Sequence, residues 1–222
     1  MSEPLLITVL GDSVPAGTGV AWAAGYPGRL RRIVAREQQR PVRVANRALP
    51  GLTAGLLYHQ LGLPGVAGSV RRADVVIVTI GANDIPRRLL RGENSPQHAD
   101  AVIARLGHRI ERVLDDLAHR RPNDPHSVII TGYWNISADG RVGAERGDGH
   151  VRASDRATAR TNELLQSAAE SRGMHFVDLF TPFKGSGDVD PTHLLAADGD
   201  HPNAAGHERI ARAVYESAQH LF

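Results

Sequence analysis

A serine, a histidine and a carboxylate stand in this chain where they could act on one another. Ser13 lies in Gly11-Asp12-Ser13, directly after the apolar run Leu5–Leu10, and Asp198-Gly199-Asp200-His201-Pro202 lies just before the last helical pattern. A turn with Asp198 and His201 three residues apart can bring the carboxylate to Nδ1 of the imidazole. The tautomer is then fixed, and Nε2 is left to accept the proton of a hydroxyl. Asp200 is too close in sequence for the same geometry. A serine served in this way is a nucleophile for acyl chemistry, and the charge that develops on the attacked carbonyl needs donors. Ser13 can offer its own N–H beside Oγ, Gly81-Ala82-Asn83-Asp84 offers the Asn83 amide, and Pro50-Gly51-Leu52 offers a Gly51 N–H that no side chain obstructs.

Each of these signals has a plain structural reading beside the chemical one. Asp and Ser cap turns and helices, and Gly with Asn is common turn chemistry. Asp190 and His193 repeat the three-residue spacing, although a Pro-Thr pair lies between them and no Pro-initiated helix follows. Local geometry favours Asp198 with His201, and spacing alone leaves both pairs open. The glycine-rich turn from Gly11 to Gly19 does not fit a nucleotide cradle. A P-loop needs four residues between its glycines and then Lys-Ser/Thr, whereas five separate Gly11 from Gly17 and Thr18 follows. The dinucleotide pattern starting at Gly17 would need glycine where Trp22 stands.

The elements that must position these groups follow from periodicity. Leu5–Leu10, Val42–Ala48, Asp74–Ile80, Ser127–Thr131 and His175–Leu179 are short runs rich in Val, Ile and Leu, as expected of parallel strands buried on both faces. Between them lie helical patterns. Ala99–Arg121 repeats Val102, Leu106, Ile110, Val113 and Leu117 at helical spacing, with Arg105, Arg109 and Asp116 among its opposite face. Asp155–Arg172 is a second helix, with Leu164, Leu165 and Ala168 inward and Gly173 at C′; the last begins near Pro202 in its first turn. Alternating strands and helices predict a parallel sheet of about five strands covered on both faces. The stretches 135–154, with four glycines, and 181–197 read as long loops at the carboxyl edge, where open α/β folds bind ligands.

Composition narrows the function class. With 222 residues, one domain spanning 1–222 is the simplest expectation. The chain has no cysteine, which removes disulfides, thiolate metal sites and a cysteine nucleophile. The pI of about 9.4 looks basic, yet 26 basic residues face 24 acidic ones. Because Lys184 is the only lysine and tyrosines number four, little titrates between neutrality and about pH 9, so a small surplus moves the pI far. Aromatic residues are 5%, too few for base-stacking platforms, and nucleic acid is not an expected partner. No basic leader or long apolar run opens the chain, and the expectation is a cytoplasmic protein without membrane insertion.

Gly11-Asp12-Ser13, Gly51 after Asn46, Gly81-Ala82-Asn83-Asp84 and Asp198-Gly199-Asp200-His201-Pro202 occur in this order, each after a predicted strand or before the last helix. Together they resemble the SGNH hydrolases, also called the GDSL esterases and lipases, over residues 5 to about 215. The resemblance implies a flavodoxin-like three-layer α/β/α sandwich, no metal or organic cofactor, and a small-molecule ester substrate. It also implies Ser13 as nucleophile, His201 as base and then acid, and Asp198 as the orienting carboxylate. The N–H groups of Ser13 and Gly51 and the Asn83 side chain would hold the oxyanion. An acyltransferase using the same acyl-Ser13, or a non-catalytic binding protein, would carry the same motifs. Tyr133 and Trp134 could line a substrate pocket or simply be buried. Arg87, Arg88 and Arg91 could meet an anionic substrate, although exposed arginine is commonplace in so arginine-rich a chain. The 135–154 stretch is a candidate lid.

Overall fold

The computed structural model describes residues 3–21, 24–90, 96–121 and 124–222. Five strands, β1 (Leu5–Gly11), β2 (Val42–Asn46), β3 (Val75–Thr79), β4 (Val128–Thr131) and β5 (His175–Val177), form one sheet in the order β2-β1-β3-β4-β5. Every pairing is parallel, with Val9 opposite both Asn46 and Ile77, and Ile129 opposite both Ile77 and His175. This is the flavodoxin-like strand order, in which the switch point lies between β1 and β3 and ligands bind at the carboxyl ends nearby.

Among the described residues the α-helices are α1 (Ser13–Ala16), α2 (Tyr26–Glu37), α3 (Ala54–Leu61), α4 (Pro64–Arg72), α5 (Arg87–Leu90), α6 (Pro96–Arg120), α7 (Gly140–Glu145), α8 (Asp148–Glu170), α9 (Phe180–Lys184) and α10 (Ala204–Ala218). The continuous apolar strands have their cause in two separate cores. Val76, Val78, Val128 and Ile130 point to one face and meet Leu57, Val70, Leu106, Ile110 and Leu165 from α3, α4, α6 and α8. Val75, Ile77 and Ile129 point to the other and meet Leu30, Ile210 and Val214 from α2 and α10. Period-two alternation across a sheet with helices on both sides needs both sets to be apolar. The three-layer α/β/α arrangement is as expected.

Boundaries differ where tertiary contacts decide. The stretch 135–154 is largely helical rather than a long loop: α7 starts at Gly140, with Asp139 Oδ1 accepting from the Gly140 N–H at 2.8 Å, and α8 starts at Asp148, seven residues earlier than the periodicity suggests. Residues 135–139 are buried. Pro202 lies outside the last helix, because Asn203 is its N-cap and accepts from Ala205 and Gly206 at 2.8 and 3.1 Å. Gly173 is left-handed at φ +67 but stands two residues past the cap Ser171, not at C′.

Candidate active site

β1 ends at Gly11, whose φ is +129 and where a Cβ would lie 1.9 Å from the Thr79 carbonyl oxygen. Only glycine lets β1 and β3 approach so closely there. Asp12 then caps the one-turn helix α1, its Oδ1 accepting from the Val14 N–H at 3.0 Å, and Ser13 is delivered half-buried at the sheet edge.

The other partners arrive from the far end of the chain. Residues 194–203 form a tight excursion, closed by hydrogen bonds from Ala196 N to His201 O at 2.8 Å and from Asn203 N to Leu194 O at 2.9 Å. Within it Asp198 Oδ1 accepts from the N–H groups of Asp200 and His201, each at 3.0 Å, and Asp198 Oδ2 stands 2.6 Å from His201 Nδ1. His201 Nε2 stands 3.0 Å from Ser13 Oγ. Burial alone would favour the neutral acid at Asp198. The hydrogen bonds from His201 and the two N–H groups outweigh it, and the carboxyl is held below its usual range. The rival pair does not form, since Asp190 Oδ1 is engaged by the N–H and hydroxyl of Thr192 at 2.8 and 2.6 Å.

Two further sheet-edge turns complete the site. Gly51 has φ +79, a conformation that favours glycine, and among the described residues its N–H has no acceptor. The Asn83 side chain donates one Nδ2 hydrogen to Leu52 O at 3.0 Å, which orients the amide and leaves the other hydrogen available. Ser13, Gly51, Asn83 and His201 line one cavity of about 260 Å³. The geometry therefore gathers a hydroxyl, an imidazole backed by a carboxylate, and the residues Gly51 and Asn83 around one cavity.

The supports of these groups are less evident in the sequence. The Asn83 turn is anchored by Asp84, which accepts from Ala54 N and Arg109 Nη1, each at 2.8 Å, with a side chain only 1% exposed. Asn46 ties the exit of β2 to the serine turn by donating to Pro15 O at 2.8 Å. His207 on α10 accepts from Tyr26 N at Nδ1, which leaves Nε2–H to donate to Thr18 O; both distances are 3.2 Å. Burial lowers the His207 pKa to about 4. Asp12 is also buried, and this pushes its carboxyl up to about 6 against the opposing hydrogen bonds of Tyr133 and Val14.

Of the residues singled out for specificity, Tyr133 is buried, and its hydroxyl donates to Asp12 Oδ2 at 2.5 Å and accepts from Ala82 N at 3.4 Å. Trp134 is buried and stacks on Phe183 at 4.4 Å. Both are among the residues that line the cavity at Ser13. Arg87 lines that cavity; Arg88 does not, and its Nη2 instead lies 3.4 Å from His98 Nε2. Arg91 and Trp22 lie outside the described residues. Among the described residues no cluster of three or more His, Asp or Glu forms a metal-ligand set, and no helix is long and apolar enough to cross a membrane.

Comparison with known proteins agrees with this fold. The solved structure of the lipase Lip_vut3 from a goat rumen metagenome superposes with a TM-score of 0.79 at 19% identity, covering 96% of this chain and 97% of that one. An extracellular lipase from Streptomyces rimosus gives 0.70 at 20% identity, covering 96% and 99%. At these identities the likeness is one of fold. In sequence, the chain is 25% identical to the uncharacterized protein YpmR of Bacillus subtilis over 227 residues, covering 97% of this chain and 82% of that protein. It is also 25% identical to a GDSL lipase of Mycobacterium tuberculosis over 219 residues, covering 94% and 79%. A family model matches residues 9–209, an interval that holds Ser13, Gly51, Asn83, Asp198 and His201. By that match, this chain belongs to the GDSL-like lipase/acylhydrolase family.

Proposed function

We propose that the chain hydrolyses a carboxylic ester through an acyl-enzyme on Ser13, with His201 as general base and then acid and Asp198 as its orienting partner. The observation that carries this reading is the unbroken contact series from Ser13 Oγ to His201 Nε2 at 3.0 Å and from His201 Nδ1 to Asp198 Oδ2 at 2.6 Å. Ser13 Oγ attacks the ester carbonyl as its proton passes to Nε2. The oxyanion faces the N–H groups of Ser13 and Gly51 and the free hydrogen of Asn83 Nδ2. Collapse expels the alcohol, which takes the proton from His201, and leaves acyl-Ser13. Water, deprotonated by His201, then attacks the acyl carbon and releases the acid and the free serine. Asp198 keeps the Nδ1–H tautomer in place and stabilises the imidazolium between the two proton transfers. The test is turnover of a short-chain aryl ester by wild type and Ser13→Ala. Loss of at least a thousandfold in kcat is expected in the variant, and activity near wild type would refute the assignment.

A further inference from the structure

The cavity at Ser13 adjoins a larger one of about 1080 Å³, the two sharing Ala82, Asn83, Arg87, Ile136, Asp200 and His201. The larger space has two arginines in its wall: Arg87 at the start of α5 and Arg146 directly after α7. Neither is in a salt bridge with a described residue, unlike Arg109 with Asp84 or Arg29 with Glu208. Ile85, Pro86 and Leu90 supply an apolar stretch of the same wall. A trough for a long acyl chain would be lined by aliphatic side chains throughout, whereas here two arginines, two aspartates and two histidines share the lining with a few apolar residues. Charged groups at fixed positions in a concave site select for a complementary charge on the ligand.

Resting on the assignment of Ser13 as nucleophile, we propose that the ester accepted here carries an anionic group, a carboxylate or phosphate, bound between Arg87 and Arg146 in the larger cavity. Asp200 lines the same space within electrostatic reach of both arginines. Asp198 lines it too, but its oxygens are taken up by His201 Nδ1 and by the N–H groups of Asp200 and His201, so the two guanidiniums are the charged donors left for the ligand. The short apolar face holds the carbon frame that joins the ester to the anion. Planar guanidiniums suit either anion, since each can donate two parallel hydrogen bonds.

Matched esters test this. 4-Acetoxybenzoate against its methyl ester places the anion on the alcohol side, and mono-4-nitrophenyl glutarate against its methyl ester places it on the acyl side. Wild type is expected to prefer the anionic member of at least one pair in kcat/KM. That preference should fall about tenfold in Arg87→Ala and in Arg146→Ala, but not in Arg105→Ala on the outer face of α6. No preference in either pair, or a preference insensitive to both substitutions, overturns the anion subsite, while hydrolysis of the neutral esters that is lost in Ser13→Ala upholds Ser13 as nucleophile. Failure to hydrolyse any of the four overturns the hydrolase reading itself. Calorimetric titration of Ser13→Ala protein with the preferred anionic ester reads binding without turnover. Affinity is expected to fall about tenfold when Arg87→Ala is added, and equal affinity for the neutral methyl ester would overturn the subsite.

Discussion

The Tyr133 hydroxyl donates to Asp12 Oδ2 at 2.5 Å although 121 residues separate them, and it also accepts from the Ala82 N–H. One buried phenol thus joins the end of β4 to the turn that carries Ser13 and to the turn that carries Asn83. Ser13, the proposed nucleophile, and Asn83, the proposed oxyanion donor, lie on different loops, so their separation is only as fixed as such cross-links make it.

Tyr133→Phe removes that cross-link and little volume. The Asp12 carboxyl loses a donor that lowers its pKa, and its titration should move upward from about 6, read by carboxyl carbon NMR. The kcat for an aryl ester should fall about tenfold as the two turns lose their common anchor, with KM changing less. An unmoved Asp12 titration would show that the hydroxyl is not coupled to it.

Asn83→Ala should lower kcat by about 10²–10³ if the amide faces the oxyanion only in the transition state. A change confined to KM would assign Asn83 to ground-state binding instead. Its second hydrogen is already held by Leu52 O, so the substitution also frees that carbonyl, and the fold is to be checked by circular dichroism.

His207 predicts an acid limit of stability. Its folded pKa of about 4 lies below the ordinary 6.5, so as pH falls from 6.5 to 4 the unfolded chain takes up a proton that the folded chain does not. Stability present above pH 6.5 is lost across that window, by about 3 kcal/mol in full, with no further loss from this residue below pH 4. Asp12, raised to about 6, acts in the opposite sense, so the residue is isolated by comparing urea unfolding of wild type and His207→Gln from pH 7 to 4. Wild type should lose its advantage over the variant as pH falls. A difference that stays flat would contradict this role.

Gly11→Ala places a methyl 1.9 Å from the Thr79 carbonyl oxygen at a φ that L residues rarely adopt. Overpacking and backbone strain together should cost about 3 kcal/mol or more, read as a lower urea midpoint or loss of soluble protein. A midpoint within error of wild type would mean that β1 and β3 can separate without penalty.

The parts of this molecule legible in its sequence are those fixed by local pattern. Continuous Val and Ile runs announce strands flanked by helices on both sides, and Ser13, Asn83, Asp198 and His201 each sit in a short turn tied to one strand end or helix start. What was not legible depends on contacts between distant segments. Four glycines made 135–154 look irregular, yet Asp139 caps α7, Lys184 stands 3.0 Å from Asp139, and His150 Nε2 lies 3.2 Å from Ala138 O; together these hold the segment against the body. Arg87 and Arg88 are indistinguishable as neighbours in sequence; the turn of α5 sends one to the cavity and not the other, while Arg146 reaches it from a segment that gave no such signal. Tyr133 and Trp134 read as an aromatic pair at a pocket, but adjacent residues leaving a strand face opposite cores, and each joins a different one.

The most direct measurement is covalent labelling by a fluorophosphonate, which needs a nucleophilic hydroxyl, a base and an accessible oxyanion site at once. One adduct per chain on Ser13 is expected, located by peptide mass spectrometry, with labelling slowed at least a thousandfold in His201→Ala. An unlabelled protein, or an adduct on any other residue, would contradict the account.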